Sequence, residues 1–373
     1  MATKTVTTAK WRADRRELLE ALSHVASIVP AKSPKPILQN VMLTAMENQL
    51  QLAATDLDVS ISYNMDRVEV HRPGTVVVYA HKLLNIIQEL TAQHVDFEVV
   101  ESMLRVDADK STFRVVMDDT SEFPTLPEFP AKDEFQVPKD VFATMIKRTE
   151  FAAAREQARY SFNGILFHFA KSKLDLVATD GKRLAWARAK VSNRKKIDVN
   201  VIVPAKGFSL LSKVVRDDDE KIGLSVTDNQ ILARTKRAKV SCRLIEGQFP
   251  SYEEVVPKDC DKAFTFSTDE LLSKLRQSHI MTDQESRAVR FTFEPNLLRF
   301  SSQAVNVGES KIEMVIDYGG EEFEVAFNPE YLIEPLKILG EETIVLKLKD
   351  QDTPGILEVG DAYVYIVMPI KTM

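Results

Sequence analysis

The sequence is short of the residues that carry covalent and metal chemistry. Among its 373 residues only Cys242 and Cys260 are cysteines, with no CxxC pairing, and the six histidines never fall into HExxH spacing. No metal and no cofactor are expected. Cys242, inside the alternating run AKVSCRLIE, reads as a small buried strand residue. Glycine is also scarce, at 12 residues, and neither G-x-G-x-x-G nor G-x-S-x-G occurs. No apolar run approaches the roughly 18 residues of a membrane helix, and the start MATKTVTTAKWRADRRELLE has no apolar signal core, so a cytoplasmic location is expected. An excess of positive charge is missing too. A net charge of −6 excludes a wholly basic surface but leaves room for a local basic face.

What is present is repetition. LQLAATDLDVSIS begins at Leu50, LDLVATDGKRLAW at Leu174 and LRFSSQAVNVGES at Leu298, a constant interval of 124 residues. Chain length points the same way, toward three domains, placed at 1–133, 134–261 and 262–373. Each repeat opens with a helical pattern, from Asp14, Pro138 and Ser267. In the first, Leu18, Leu22 and Val25 share one helix face. Ser267 and Glu270 have the spacing of a capping box. Alternating hairpins follow, then a second strand and helix, so the fold class is α+β with two helices per repeat packed on antiparallel sheets. The polar faces of these helices carry Arg15, Arg16, Lys147, Arg148, Lys206, Lys213, Arg216, Lys274 and Arg276. Such residues are ordinarily solvated or paired with Glu, but their recurrence in successive repeats fits a phosphate-attracting face.

Three places invite a catalytic reading. TDGKRL contains Gly-Lys, yet the earlier glycine of a phosphate-cradling loop is missing and Arg183 follows the lysine. Asp56 with Asp58, read as lying on an alternating strand, and Asp217 to Asp219, read as a solvated loop, suggest magnesium-dependent phosphoryl chemistry, and a divergent nuclease or phosphotransferase would use Asp56, Asp58 or Asp180. No nucleophile, base and orienting group can be named, so the chain reads as a non-enzyme.

NGILF, LVATDGKRLA, VIVPAKG, EGQFPSYEEVVPK, FNPEYL and the terminal YIVMPIKTM, in this order and spacing, resemble the bacterial DNA polymerase III beta subunit family, the replication sliding clamps, over nearly the whole chain. The resemblance implies three DNA-clamp domains forming half of a closed ring, a head-to-tail homodimer around duplex DNA, with helices lining the hole. It implies a processivity factor with a peptide-binding cleft for the polymerase alpha subunit, the clamp loader, other polymerases and repair proteins. The cleft positions that match are Phe162, Thr179, Gly181, Lys182, Arg183, Leu184, Pro250 and Val255 on one wall. Asn328, Tyr331, Ile366, Met368, Pro369 and Ile370 form the other. DNA-facing matches are Lys32, Arg155, Arg159, Tyr160 and Lys206; dimer-interface matches are Lys82, Phe113 and Val115 against Ile280 and Met281. Glu254 stands where the family often has a basic residue, Lys182 where histidine is frequent, Ser161 where a second aromatic is common, and the tail ends Lys371-Thr372-Met373. A second reading keeps the peptide cleft but makes the chain a docking scaffold that is never loaded on DNA.

Overall fold

The computed structural model describes residues 8–130, 134–154, 160–192, 197–282, 287–304 and 307–371. In the first repeat, β1 (Lys10–Asp14) leads into α1 (Arg15–Ala26), then β2 (Asn40–Met46), β3 (Gln49–Thr55), β4 (Val59–Met65), β5 (Val68–Arg72) and β6 (Gly74–Tyr79). Helix α2 (Ala80–Glu89) and strands β7 (His94–Val100), β8 (Met103–Ala108) and β9 (Ser111–Asp118) complete it. The second repeat runs β10 (Phe135–Pro138), α3 (Lys139–Thr149), β11 (Gly164–Ala170), β12 (Lys173–Thr179), β13 (Arg183–Lys190) and β14 (Asp198–Pro204). It continues through α4 (Ala205–Val214), β15 (Lys221–Val226), β16 (Gln230–Arg234) and β17 (Ala238–Arg243), with a short α5 (Tyr252–Val255) in the connector that follows. The third has β18 (Lys262–Ser267), α6 (Thr268–His279), β19 (Val289–Glu294), β20 (Leu297–Ala304), β21 (Gly308–Val315) and β22 (Phe323–Phe327). Helix α7 (Pro329–Ile338) and strands β23 (Thr343–Leu348), β24 (Gly355–Val359) and β25 (Tyr363–Val367) close the chain.

Sheet hydrogen bonding continues across the repeat boundaries. Strand β4 pairs with β17, and β13 pairs with β25. The chain accordingly divides into two compact units, residues 1–139 with 206–244 and residues 140–205 with 245–373, and the middle repeat contributes to both. The first unit holds a 13-stranded sheet; the second holds sheets of eight and four strands. Every pairing among the described strands is antiparallel, as the alternating hairpins predict.

Local signals account for the elements. Asp14 caps α1, its carboxylate accepting from the Glu17 amide at 3.0 Å, and Asn328 caps α7, accepting from Glu330 at 3.0 Å with Pro329 in the first turn. Of the predicted capping box the Ser267 half forms, its hydroxyl accepting from the Glu270 amide at 3.5 Å. Helix α1 buries Leu18, Leu22 and Val25 toward β3 and β4. In the first unit Trp11 stacks on Phe97 at 5.1 Å. In the second, Phe293 stacks on Phe323 at 4.5 Å.

Two expectations about carboxylates are corrected. Asp56 and Asp58 lie in the turn between β3 and β4, not on a strand, and Asp56 accepts from the amides of Asp58 and Val59. In the acidic run, Asp217 and Asp218 are exposed, but Asp219 is buried and accepts from the amides of Arg216 and Lys236, at 2.9 Å each. It ties two loops together, so its carboxylate is occupied by backbone donors. Composition alone does not distinguish which of three consecutive aspartates turns inward.

The β3–β4 turn exposes a cost. Leu57 sits at φ +80°, where the equivalent turn of the second repeat has Gly181 at φ +86°. A left-handed conformation costs a residue with a Cβ roughly 1–2 kcal/mol, and the unfolded-state freedom of glycine offsets part of any gain from removing it. Leu57→Gly is therefore expected to stabilise the chain by about 0.5–1 kcal/mol, read as a higher urea midpoint with unchanged slope. A lower midpoint would show that the half-exposed Leu57 side chain contributes more than its backbone loses.

Candidate functional site

The turn after β12 is built from its own side chains. Thr179 donates its hydroxyl to the Arg183 carbonyl at 2.6 Å and accepts from the Gly181 amide at 3.1 Å. Asp180 accepts from the amides of Lys182 and Arg183 at 2.9 and 3.1 Å. These are the side-chain turns that Thr and Asp form with backbone two and three residues ahead. The first repeat makes the same set with Thr55 and Asp56. Asp180 thus holds a turn, and no group of three or more His, Cys, Asp or Glu among the described residues could take a metal ion.

Glycine at position 181 lets the turn pass with φ +86° and leaves a surface open beside it; a Cβ there would stand 3.6 Å from the Phe162 ring. Arg183 points inward. Its guanidinium donates to Asp180 at 3.0 Å, to the Phe151 carbonyl at 2.9 Å and to Glu334 on α7, and lies 4.7 Å over the Tyr331 ring. Burial by itself lowers the pKa of this guanidinium, and Tyr365, Glu334 and Asp180 more than reverse that, so the net movement is upward and the charge is permanent. Tyr365 in turn donates to the Tyr331 carbonyl at 2.6 Å. The turn, β25 and the first turn of α7 are one hydrogen-bonded assembly.

The chain end completes it. The Met368 amide donates to the Lys182 carbonyl at 2.9 Å and the Ile370 amide to the Ala326 carbonyl at 2.7 Å, which pins Pro369 between them. Beneath lies an apolar cluster of Leu166, Val177, Leu184, Ile356, Val364 and Ile366, capped by Tyr252 of α5, whose ring meets Trp186 edge-on at 4.8 Å. Of the cleft positions expected from the sequence, Thr179, Arg183, Leu184, Asn328 and Ile366 are buried. Phe162, Pro250, Tyr331, Pro369 and Ile370 are partly exposed, while Gly181, Lys182, Val255 and Met368 are open. The arrangement gives a preformed apolar surface on a rigid base, able to take side chains of an extended segment. Glu334, Phe151, Tyr365 and Ala326 hold the assembly and were not named from sequence; nothing in EYLIEP marks Glu334 as the partner of an arginine 151 positions away.

The basic residues divide. Lys206 donates to Asp56 and to the Ile28 carbonyl, Arg216 pairs with Glu20, and Arg148 pairs with Glu341. Arg15 donates to the Ile87 carbonyl at 3.1 Å. Arg16, Lys147, Lys213 and Arg276 are exposed, Lys274 is half-buried, and none of the five makes an ion pair with another described residue. Lys32 is exposed in the loop after α1. Arg155 and Arg159 lie outside the described residues, and Tyr160 opens the 3-10 turn Tyr160–Asn163.

Exposed large apolar residues concentrate at few places. Val255 and Met368 belong to the surface just described. Val100, Met103, Phe113 and Val116 lie on β7, β8 and β9, and among the described strands Ser111–Val116 pairs with β8 alone, since β6 reaches no farther than Met117 and Asp118. Ile280 follows α6, Val307 immediately precedes β21 and Val315 ends it, β21 being an edge strand of its sheet. Val115 and Met281 are half-buried, and Lys82 is exposed on α2. Two open strand edges bearing apolar side chains are pairing surfaces unless something covers them.

Comparison with known proteins gives a consistent result. Residues 9–127, 136–251 and 253–371 match the family models described as the N-terminal, central and C-terminal domains of the DNA polymerase III beta subunit. The beta sliding clamp of Pseudomonas putida is 31% identical over 360 residues, 96% of this chain and 98% of that protein. That of Chlamydia pneumoniae is 28% identical over 363 residues, 97% of this chain and 99% of that one. Among solved structures, the Pseudomonas aeruginosa sliding clamp bound to griselimycin superposes with a TM-score of 0.90 at 29% identity, covering 98% of this chain and all of that one.

Proposed function

The chain belongs to the DNA polymerase III beta subunit family, and from that premise we propose that two copies close head to tail into a ring that encircles duplex DNA and carries polymerases along it. Its general role is that of a replication processivity clamp, and it is not an enzyme. One observation carries the ring and the cleft: apart from Met46 and Leu57, the exposed large apolar residues of the described chain lie on or beside two open strand edges and on the surface made by the 179–184 turn and the chain end. Strand β9 of one copy pairs with β21 of the next, Phe113 and Val115 meeting Ile280 and Met281, with Lys82 at the margin. The contact joins two different surfaces and closes after two copies.

The free lysines and arginines of α1, α3, α4 and α6, together with Lys32, Arg155, Arg159, Tyr160 and Lys206, face the DNA. Phosphate attraction ignores sequence and permits sliding, whereas hydrogen bonds to base edges would arrest it. The intrachain ion pairs of Lys206, Arg148 and Arg216 keep this attraction weak. The cleft takes short linear segments of the polymerase alpha subunit, the clamp loader, other polymerases and repair proteins. The protein works in the cytoplasm, with the chromosome.

Retention on DNA tests the ring. After loading by a clamp loader, the protein is expected to stay on nicked circular DNA through gel filtration and to leave within minutes of linearisation. Ile280→Ala with Met281→Ala is expected to weaken the dimer at least tenfold by sedimentation and to shorten retention on the circle in step. Equal retention on circular and linear DNA would remove the ring and leave the docking scaffold as the better reading.

A further inference from the structure

The outer sheet face under the first connector repeats the one under the second, with its large side chains removed. In the second unit the cross-strand row Val177, Trp186 and Val364 and the row Leu184, Ile366 and Ile356 form the apolar floor on which Tyr252 and Phe249 rest. Register places Ala53, Ser62 and Lys239 in the first row's equivalent positions, and Ser60, Ser241 and Leu232 in the second's. Ala53, Ser60 and Ser62 each precede their counterparts by the repeat interval of 124 residues. The connector that covers this floor, FPTLPEF from Phe123, answers to FPSYEEV from Phe249. Serine for leucine, isoleucine and tryptophan leaves a cavity of about 430 Å³ between floor and connector.

We propose that this cavity is a second peptide site, taking a short extended segment with one large apolar side chain and an adjacent acidic residue. The roof is apolar and stiff, from Phe123, Pro124, Leu126, Pro127 and Phe129, and suits the apolar anchor. The floor offers the half-buried hydroxyl of Ser62 to a peptide backbone, while Ser60, whose hydroxyl is engaged with that of Thr55 at 2.8 Å, and Ser241 are buried beside it. Lys239 is exposed at the edge and makes no ion pair with another described residue, so it complements the acid; Glu128, also exposed, lies on the connector side and disfavours a second one. The choice of a peptide rests on the reading of the second unit's equivalent surface as the peptide cleft. The cavity itself does not. With a smaller apolar floor, affinity is at least tenfold below that of the cleft.

Methyl spectra of the full chain labelled at methionine test this, because Met42 lines the cavity and Met368 lies on the cleft. The probe is acetyl-Leu-Asp-Phe-amide, with signals assigned from Met42→Leu and Met368→Leu. Both methyls are expected to shift, Met42 saturating at least tenfold later. Ser62→Trp with Ser241→Ile is expected to abolish the Met42 shift and spare that of Met368. Lys239→Glu, at an exposed position, is expected to weaken the Met42 response at least fivefold. A Met42 signal that never moves, or one that moves unchanged in both variants, overturns the second site. A motionless Met368 beside a responsive Met42 overturns the cleft reading instead.

Discussion

Arg183→Met is expected to abolish most peptide binding although the side chain is buried. Arg183 is 8% exposed and its guanidinium donors go to Asp180, Glu334 and the Phe151 carbonyl. Removing one partner of a fully buried pair typically costs about 3–5 kcal/mol. Glu334 is about a third exposed and Asp180 about a fifth, so water can reach both carboxylates, and the expected cost is nearer 2–3 kcal/mol. The larger consequence is positional. The turn that carries Gly181 and Lys182 loses its tie to α7, and Tyr331 loses the cation over its ring. We expect a 30- to 100-fold rise in the Kd of a polymerase tail peptide by fluorescence polarisation, together with a lower urea midpoint. Glu334→Gln keeps an acceptor for Arg183 and is expected to cost less than a third as much on both measures. Wild-type affinity in a destabilised Arg183→Met protein would separate the turn from the cleft.

The division between what could and could not be read beforehand follows from the range of the interactions. Hairpins, helix starts and the 124-residue period were legible because each rests on residues within a few positions: Thr179 and Asp180 build their turn from neighbours two to four places on. Asn328 with Pro329 and Asp14 with Glu17 belong to the same class. The sheet pairing of β13 with β25 joins residues more than 170 positions apart, and it puts Lys182 beside Met368. No local pattern encodes that. The family resemblance brought these two positions together, while Glu334, Phe151 and Ala326, which fix them in place, have no motif of their own. Open edges were equally hidden, since whether β9 and β21 lack a neighbour depends on where the other strands end.

Deleting Pro369 to Met373 is expected to eliminate tail-peptide binding, at least a 100-fold loss, while the dimer by sedimentation and the melting temperature hardly change. The two effects separate because the tail lies past β25 and outside the core. Val367 is fully buried and ends the strand, whereas Met368 is 41% exposed and Lys371 is exposed. The deletion removes one backbone hydrogen bond, Ile370 to Ala326, whose net value is about 1 kcal/mol, and leaves the Met368 to Lys182 bond in place. It also removes Pro369 and Ile370, the apolar lip pinned to Ala326 that follows Met368, and with them the orientation of the Met368 side chain. A site whose shape precedes its ligand loses affinity steeply when the rigid part goes, because the peptide must then bear the cost of ordering what remains. Substituting only Ile370→Ala distinguishes lip from latch: the backbone bond to Ala326 persists, so affinity is expected to fall about tenfold and not a hundredfold. Full-strength binding by the truncated chain would place the peptide elsewhere on the second unit.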